Sequence, residues 1–224
     1  MPAWLQLMID SFWPLLSAGL IFTVPLTLIT FVLGILLGFL VALARLYGPT
    51  PLVALVRCYV WLVRGTPLLV QLFLIFYGLP SAGIVLDAFT AAVIGFTLNI
   101  GAYSSEIIRA TLAAIPKGQW EAAHSIGMSW PQAMRRVILP QAARIAVPPL
   151  SNTFISLVKD TSLAAVTVPE LFQAAQRLAS VTYEPLILYV ETALIYLLFS
   201  SVLSTLQDRL ERRLTHKETR EVAL

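Results

Sequence analysis

Lys159-Asp160-Thr161-Ser162 is a run of polar side chains inside an otherwise apolar stretch. Ionisable residues within membrane spans are costly, so they line a polar pathway or pair with one another. An acid beside a base, followed by two hydroxyls, offers ion pairing and hydrogen bonding but no covalent chemistry. The competing reading is a local ion pair in a helix break near the outer boundary. Gln71, Asn99 and Tyr103 lie in two other apolar stretches. They can complete the same polar lining, or serve as interhelical hydrogen bonds worth less than ~2 kcal/mol each. Other chemistries are poorly supplied. His124 and His216 are far apart and lack nearby Cys or carboxylate partners, so neither reads as a metal ligand. The lone Cys58 excludes an intrachain disulfide and a cysteine metal cluster. No G-x-x-x-x-G-K-[ST] loop occurs, so the chain does not bind ATP in the P-loop manner.

These residues are carried on membrane helices. Of 224 residues 58% are hydrophobic and 12% charged, against roughly 25% charged in soluble domains. From Ser11 to Ala44 there is no charged residue or histidine. About 20 apolar residues cross a ~30 Å hydrocarbon core, so this run spans with residues to spare and is too long for a cleaved signal peptide. The apolar runs predict five transmembrane helices: about Leu16 to Ala44, Gly65 to Gly83, Ala88 to Ser105, Gln141 to Val168 and Pro185 to Leu206. A shorter helix bearing Arg57 and Arg64 on one face precedes the second. Arg64-Gly65-Thr66-Pro67 reads as an elbow with Thr66 capping the next helix, and Pro25 as a kink in the first. Placing the N-terminus outside puts thirteen of the fifteen Lys and Arg residues in inner segments, with Arg177 outside and Lys159 within a span. The positive-inside rule therefore predicts N-terminus out and C-terminus cytoplasmic. The outer segment Val168 to Glu184 is expected to hold a short helix starting at Pro169, and Glu191 to reach water at the outer boundary. Small residues Gly95, Gly101, Ala102, Ser104 and Ser105 predict close helix packing in span three. The tail from Asp208 reads as a frayed cytoplasmic helix end.

The cytoplasmic segment Arg109 to Arg136 is long for a simple tie, since helix connections run about 2–8 residues. Within it Gln119 to Ile126 predicts a short helix with Glu121 in its first turn, where a carboxylate favours the helix dipole. Gly127 breaks that helix, Ser129 caps a second one opening at Trp130-Pro131, and Pro140 opens the next span. Exposed Trp120 and His124 make this helical knob a docking surface.

Glu121-Ala122-Ala123, three residues, Gly127, nine residues, then Val137, Leu139 and Pro140 resembles the EAA loop of ABC importer permeases. Val137 stands where that pattern usually has Ile. "RGTPLLVQLF" (Arg64 to Phe73), "AYSSEIIRATLAAIPKGQWEAA" (Ala102 to Ala123) and "SLVKDTSLAA" (Ser156 to Ala165) resemble the polar amino-acid branch, most nearly its L-cystine importers. The resemblance implies an all-α polytopic membrane protein. It implies a single transmembrane unit over residues 1–224 with a core of about 16–209. The loop between helices three and four would be a coupling helix seated in a groove on a separate ATPase, with Glu121 facing a basic residue and Gly127 supplying the bend. ATP and Mg would sit on that ATPase and no cofactor on this chain. Further implied partners are a second permease, identical or homologous, an external solute-binding protein and membrane lipid, with no nucleic acid, and the expected location is the bacterial inner membrane. An amino acid presents an ammonium and a carboxylate. Asp160 would meet the first, Thr161 and Ser162 would hydrogen-bond, and Lys159 would serve the carboxylate or neutralise Asp160.

Three rivals remain at this stage. A self-contained secondary amino-acid transporter usually shows internal repeats, and none is visible here. An intramembrane enzyme needs a nucleophile with a base, or metal ligands, inside the spans, and neither histidine lies in one. A non-transporting scaffold explains the knob but not the polar residues in spans two to four.

Overall fold

In the computed structural model the backbone of residues 2–222 and the side chains of residues 2–212 are described. The architecture is all-α, with no strand among the described residues. Helix α1 (Ala3–Ala18) runs through a π-helical segment, Gly19–Thr23, into α2 (Val24–Tyr47). The first helical run thus begins at Ala3 rather than near Leu16 and reaches Tyr47. Helix α3 (Thr50–Gly65) bends by 108° into α4 (Leu68–Phe73), which continues through a π segment, Leu74–Gly78, and a 3-10 turn, Leu79–Ala82. Helix α5 (Ala88–Ala114) follows. Asp87 caps it, its carboxylate accepting from the Thr90 N–H at 3.0 Å. The side-chain and backbone hydrogen bonds of Thr90 hold that carboxyl below the usual range.

The knob consists of α6 (Lys117–Ser125) and α7 (Trp130–Ala133). Helix α7 does not stop. It passes through a third π segment, Met134–Ile138, into α8 (Leu139–Asp160), so the second knob helix and the expected fourth span form one continuous rod. A 3-10 turn, Thr161–Val166, leads to α9 (Leu171–Thr182), and α10 (Pro185–Val222) closes the chain. The side chains of Arg213, His216, Lys217 and Arg220 lie outside the described residues.

Proline accounts for the π segments. Its ring clashes with the carbonyl four residues earlier, and it offers no N–H. Pro25, Pro80 and Pro140 each follow a π segment by two residues, and their clashing carbonyls belong to Ile21, Phe76 and Arg136 inside those segments. A wider i→i+5 turn moves that carbonyl aside while the helix continues. The expected kink at Pro25 is this widened turn.

Three described helices are long and apolar enough to cross a membrane: Ala3–Tyr47, Ala88–Ala114 and Pro185–Arg212; the bent pair Thr50–Gly65 and Leu68–Ala82 makes a fourth if it counts as one. Helix α8 has 22 residues, about 33 Å at 1.5 Å per residue, but it carries Arg144, Lys159 and Asp160.

Helices α2 and α5 form the central pair. A Cβ added at Gly34 would fall 2.5 Å from Ile100, and one at Gly38 would fall 3.0 Å from both Gly101 O and Ser105 N. The small-residue face of α5 is therefore a packing surface, and the backbones meet where a side chain would not fit. Gly38→Ala is expected to cost about 1–3 kcal/mol by overpacking. In detergent it should lower Tm by several degrees, whereas Gly65→Ala, with open space around it, should leave Tm unchanged.

Candidate functional site

The polar wall of a cavity of about 570 Å³ is assembled from the α3–α4 elbow, α5 and α8. From the elbow come Arg64 and Thr66, from α5 Asn99, Tyr103 and Glu106, and from α8 Asn152, Ser156 and Asp160. The α8 residues fall at i, i+4 and i+8, one face of a helix. Asn99, Tyr103 and Glu106 likewise lie at i, i+4 and i+7 on α5.

The 108° bend is what delivers Arg64. Gln71 Nε2 donates to Val63 O at 2.7 Å and lies within hydrogen-bond distance of Thr66 O and Thr66 Oγ1, while Gln71 Oε1 accepts from Asn99 Nδ2 at 3.3 Å. Gln71 thus stands one layer behind the cavity, tying the elbow to a lining residue. Thr66 does not cap α4, which begins at Leu68. Its hydroxyl donates back to Leu62 O at 2.9 Å and closes α3 instead. The Arg64 guanidinium lies 5.2 Å from the centre of the Tyr103 ring, a cation–π contact that holds it over the cavity.

The charges on the wall are not equivalent. Glu106 is neutralised by Arg45, 2.5 Å away, and by Arg109 at 3.2 Å. Arg64 and Asp160 make no ion pair among the described residues. The cavity therefore presents one uncommitted cation and one uncommitted anion, among amide and hydroxyl groups. Lys159, Thr161 and Ser162 do not line it. Lys159 is exposed and forms no ion pair with Asp160; Thr161 is buried, its hydroxyl donating to Val158 O at 2.7 Å. Of the residues expected on the polar path, the structure brings Asn99, Tyr103 and Asp160 together. It adds Arg64, Thr66, Glu106, Asn152 and Ser156, which the sequence analysis did not place there. The regular polar spacing of Asn152, Ser156 and Asp160 was the available signal.

The second functional surface is the knob. Helix α6 begins at Lys117, so Glu121 lies beyond the first turn and gains no first-turn dipole contact. Glu121 and Ala122 are exposed, and Ala123 is buried. Gly127 has φ +80°, and the N–H groups of Gly127 and Met128 close the helix end onto His124 O and Ala123 O. A side chain in this left-handed region costs about 1–2 kcal/mol. Gly127→Ala is expected to speed amide exchange at Gly127 and Met128 by about tenfold. The Ser129 N–H donates to Gln132 Oε1 at 2.9 Å, fixing the start of α7. Met134 and Ile138 are buried with Ala42, Ile108 and Leu112, so these residues face protein, and Val137 and Leu139 pack at the edge of the same cluster. Pro140 is exposed within the first turn of α8.

A model of the binding-protein-dependent transport system inner membrane component matches residues 34–216. This chain belongs to that family. Among its relatives in the family, the L-cystine transport system permease protein TcyB of Bacillus subtilis is 52% identical, over 92% of this chain and 88% of that protein. The arginine transport system permease protein ArgU of Corynebacterium glutamicum is 36% identical, over 92% and 70% respectively. Among solved structures, an amino acid ABC transporter crystallised with histidines matches at TM-score 0.85 and 39% identity, covering 92% of this chain and 97% of that one. The MetNI methionine ABC transporter matches at TM-score 0.69 and 21% identity, a likeness of fold. Family membership gives the two surfaces a shared context: a transport subunit that is not itself catalytic, with a polar cavity among its helices and an exposed knob at one end.

Two buried carboxylates lie apart from both surfaces. Glu170 caps α9, accepting from the Gln173 N–H at 2.9 Å and from Tyr196 OH at 2.7 Å. Glu191 does not reach water; it is 3% exposed and accepts from Ser11 Oγ. Glu170 ties α9 to the adjacent α10 and Glu191 ties α1 to the distant α10, so both serve packing.

Proposed function

We propose that this chain is the permease subunit of an ATP-driven importer that carries a polar amino acid, L-cystine or a close relative, across the inner membrane. The observation that carries the reading is the cavity wall with Arg64 and Asp160 uncommitted on it. A zwitterionic amino-acid end matches it: the α-carboxylate meets Arg64 and the ammonium meets Asp160, with Asn99, Asn152 and Ser156 supplying neutral hydrogen bonds. Because one partner in each is ionised, such charge-assisted bonds are stronger than neutral ones. The resemblance to TcyB favours L-cystine, which carries such a group at each end.

Five spans with the N-terminus outside and the C-terminus in the cytoplasm fit this reading, the elbow helix and α8 supplying the second and fourth. The knob then faces the cytoplasm. Glu121 and Ala122 are presented to a separate ATPase dimer that holds ATP and Mg; Gly127 sets the bend, and Ala123, Leu139 and Pro140 hold α6 against the helix ends. A second permease subunit and an external solute-binding protein complete the assembly. The chain itself catalyses no covalent step.

The test is uptake of labelled L-cystine into liposomes holding the chain with its ATPase and binding protein. ATP-dependent uptake is expected, competed by related amino acids. Uptake by the purified chain without an ATPase or ATP would replace this reading with a secondary transporter.

A further inference from the structure

A column of aromatic rings runs from the exposed knob to the end of α2. Trp120, on α6, stacks with His124 at 6.3 Å and with Trp130 at 6.1 Å between ring centres. Trp130 meets Tyr47 edge-on at 5.0 Å. Tyr47 is the last residue of α2, and the Gly48 N–H closes that turn onto Ala44 O at 2.9 Å. The same turn carries Arg45, whose guanidinium holds Glu106 on the cavity wall. One helical turn therefore touches the knob through Tyr47 and the cavity through Arg45.

We infer that the last turn of α2 transmits movement between the knob and the cavity, with Tyr47 receiving it and Arg45 passing it to Glu106. The inference rests on the proposed docking of an ATPase at α6. The apolar cluster of Ala42, Ile108, Met134 and Ile138 also joins knob to helices, but it holds no group facing the cavity. The ion pair does. With Arg45 engaged, Glu106 is neutralised by two arginines and is withheld from a ligand. When the turn shifts, Arg45 withdraws and the Glu106 carboxylate turns to the cavity, held by Arg109 alone. With one ammonium held at Asp160, the second ammonium of L-cystine competes with Arg45 for the Glu106 carboxylate. Occupancy and knob position therefore bias one another, and such coupling is reciprocal. Tyr47 and Arg45 are positioning residues, since neither touches the transported molecule.

The experiment uses the complete transporter, with its ATPase and binding protein, in liposomes. Tyr47→Leu, Trp130→Leu and Arg45→Gln are compared with Tyr47→Phe, which keeps the ring. Capture of the ATPase by tagged permease should stay at the wild-type level in all four. Substrate carried per ATP hydrolysed should fall about tenfold in the first three and return in Tyr47→Phe. The double variant Tyr47→Leu/Arg45→Gln should be no worse than either single one, because both break the same path. Wild-type transport per ATP in Tyr47→Leu and Trp130→Leu overturns the inference. So do multiplying losses in the double variant, or loss of ATPase capture in Tyr47→Leu. Failure of the docking proposal itself is seen separately, as wild-type ATPase capture by Glu121→Lys permease.

Discussion

Asp160→Asn is expected to reduce ATP-driven uptake by roughly 30-fold or more, with the assembled transporter still present in the membrane. The substitution keeps the shape and hydrogen-bonding reach of the side chain and removes its charge. Removing one partner of a hydrogen-bonded charge pair that the bound substrate closes off from water costs about 2–5 kcal/mol, and each 1.4 kcal/mol is about tenfold. The loss should appear both in uptake and in substrate-stimulated ATP hydrolysis, while hydrolysis without substrate is retained. Arg64→Gln should follow the same pattern, since it holds the opposite charge on the same wall. Lys159→Gln should change uptake by less than about threefold, because Lys159, unlike its neighbour Asp160, does not line the cavity, and surface changes away from a site rarely exceed ~0.5 kcal/mol. Unchanged uptake and stimulation in Asp160→Asn would remove Asp160 from the substrate site.

The second large effect is at the knob. Glu121→Lys should abolish stable association with the ATPase while membrane insertion and thermal stability of the permease stay as in wild type. Glu121 is exposed on α6 and makes no side-chain ion pair among the described residues, so its replacement disturbs little within the chain. In the basic groove that the proposed docking places opposite it, the reversed charge would trade attraction for repulsion, and like-charge juxtaposition costs several kcal/mol. Co-purification of the ATPase with tagged permease should therefore fall by two orders of magnitude or more. A normal pull-down would overturn the docking of an ATPase at α6.

What the sequence made legible follows the range of its signals. The knob was readable because its cues are local: a short polar helix, Gly127 at its break, and Ser129 capping a helix that opens at Trp130-Pro131. The all-helical class followed from composition and long uncharged runs. Arg64 and Glu106 were opaque in their roles. A lone arginine near a helix end reads as an inner-side charge, and only the bend at Gly65-Thr66-Pro67 turns it onto the cavity. Glu191 read as an outer-boundary carboxylate because its partner, Ser11, lies on a helix brought near only by folding. Pro140 read as the start of a new helix. Proline does break an α turn, but the widened turn at Met134–Ile138 absorbs it, and the helix continues unbroken to Asp160.

Those widened turns also set the rotational phase of what lies on either side. Each residue of an α-helix advances the side-chain direction by about 100°. An additional residue accommodated in a turn therefore rotates the whole segment before it relative to the segment after it. At Gly19–Thr23 this sets the angle at which Ser11 meets Glu191 while Gly34 and Gly38 face α5. One continuous helix thus satisfies two neighbours whose faces a uniform 3.6-residue repeat would not align, and Pro25 fixes the place where the angle is adjusted.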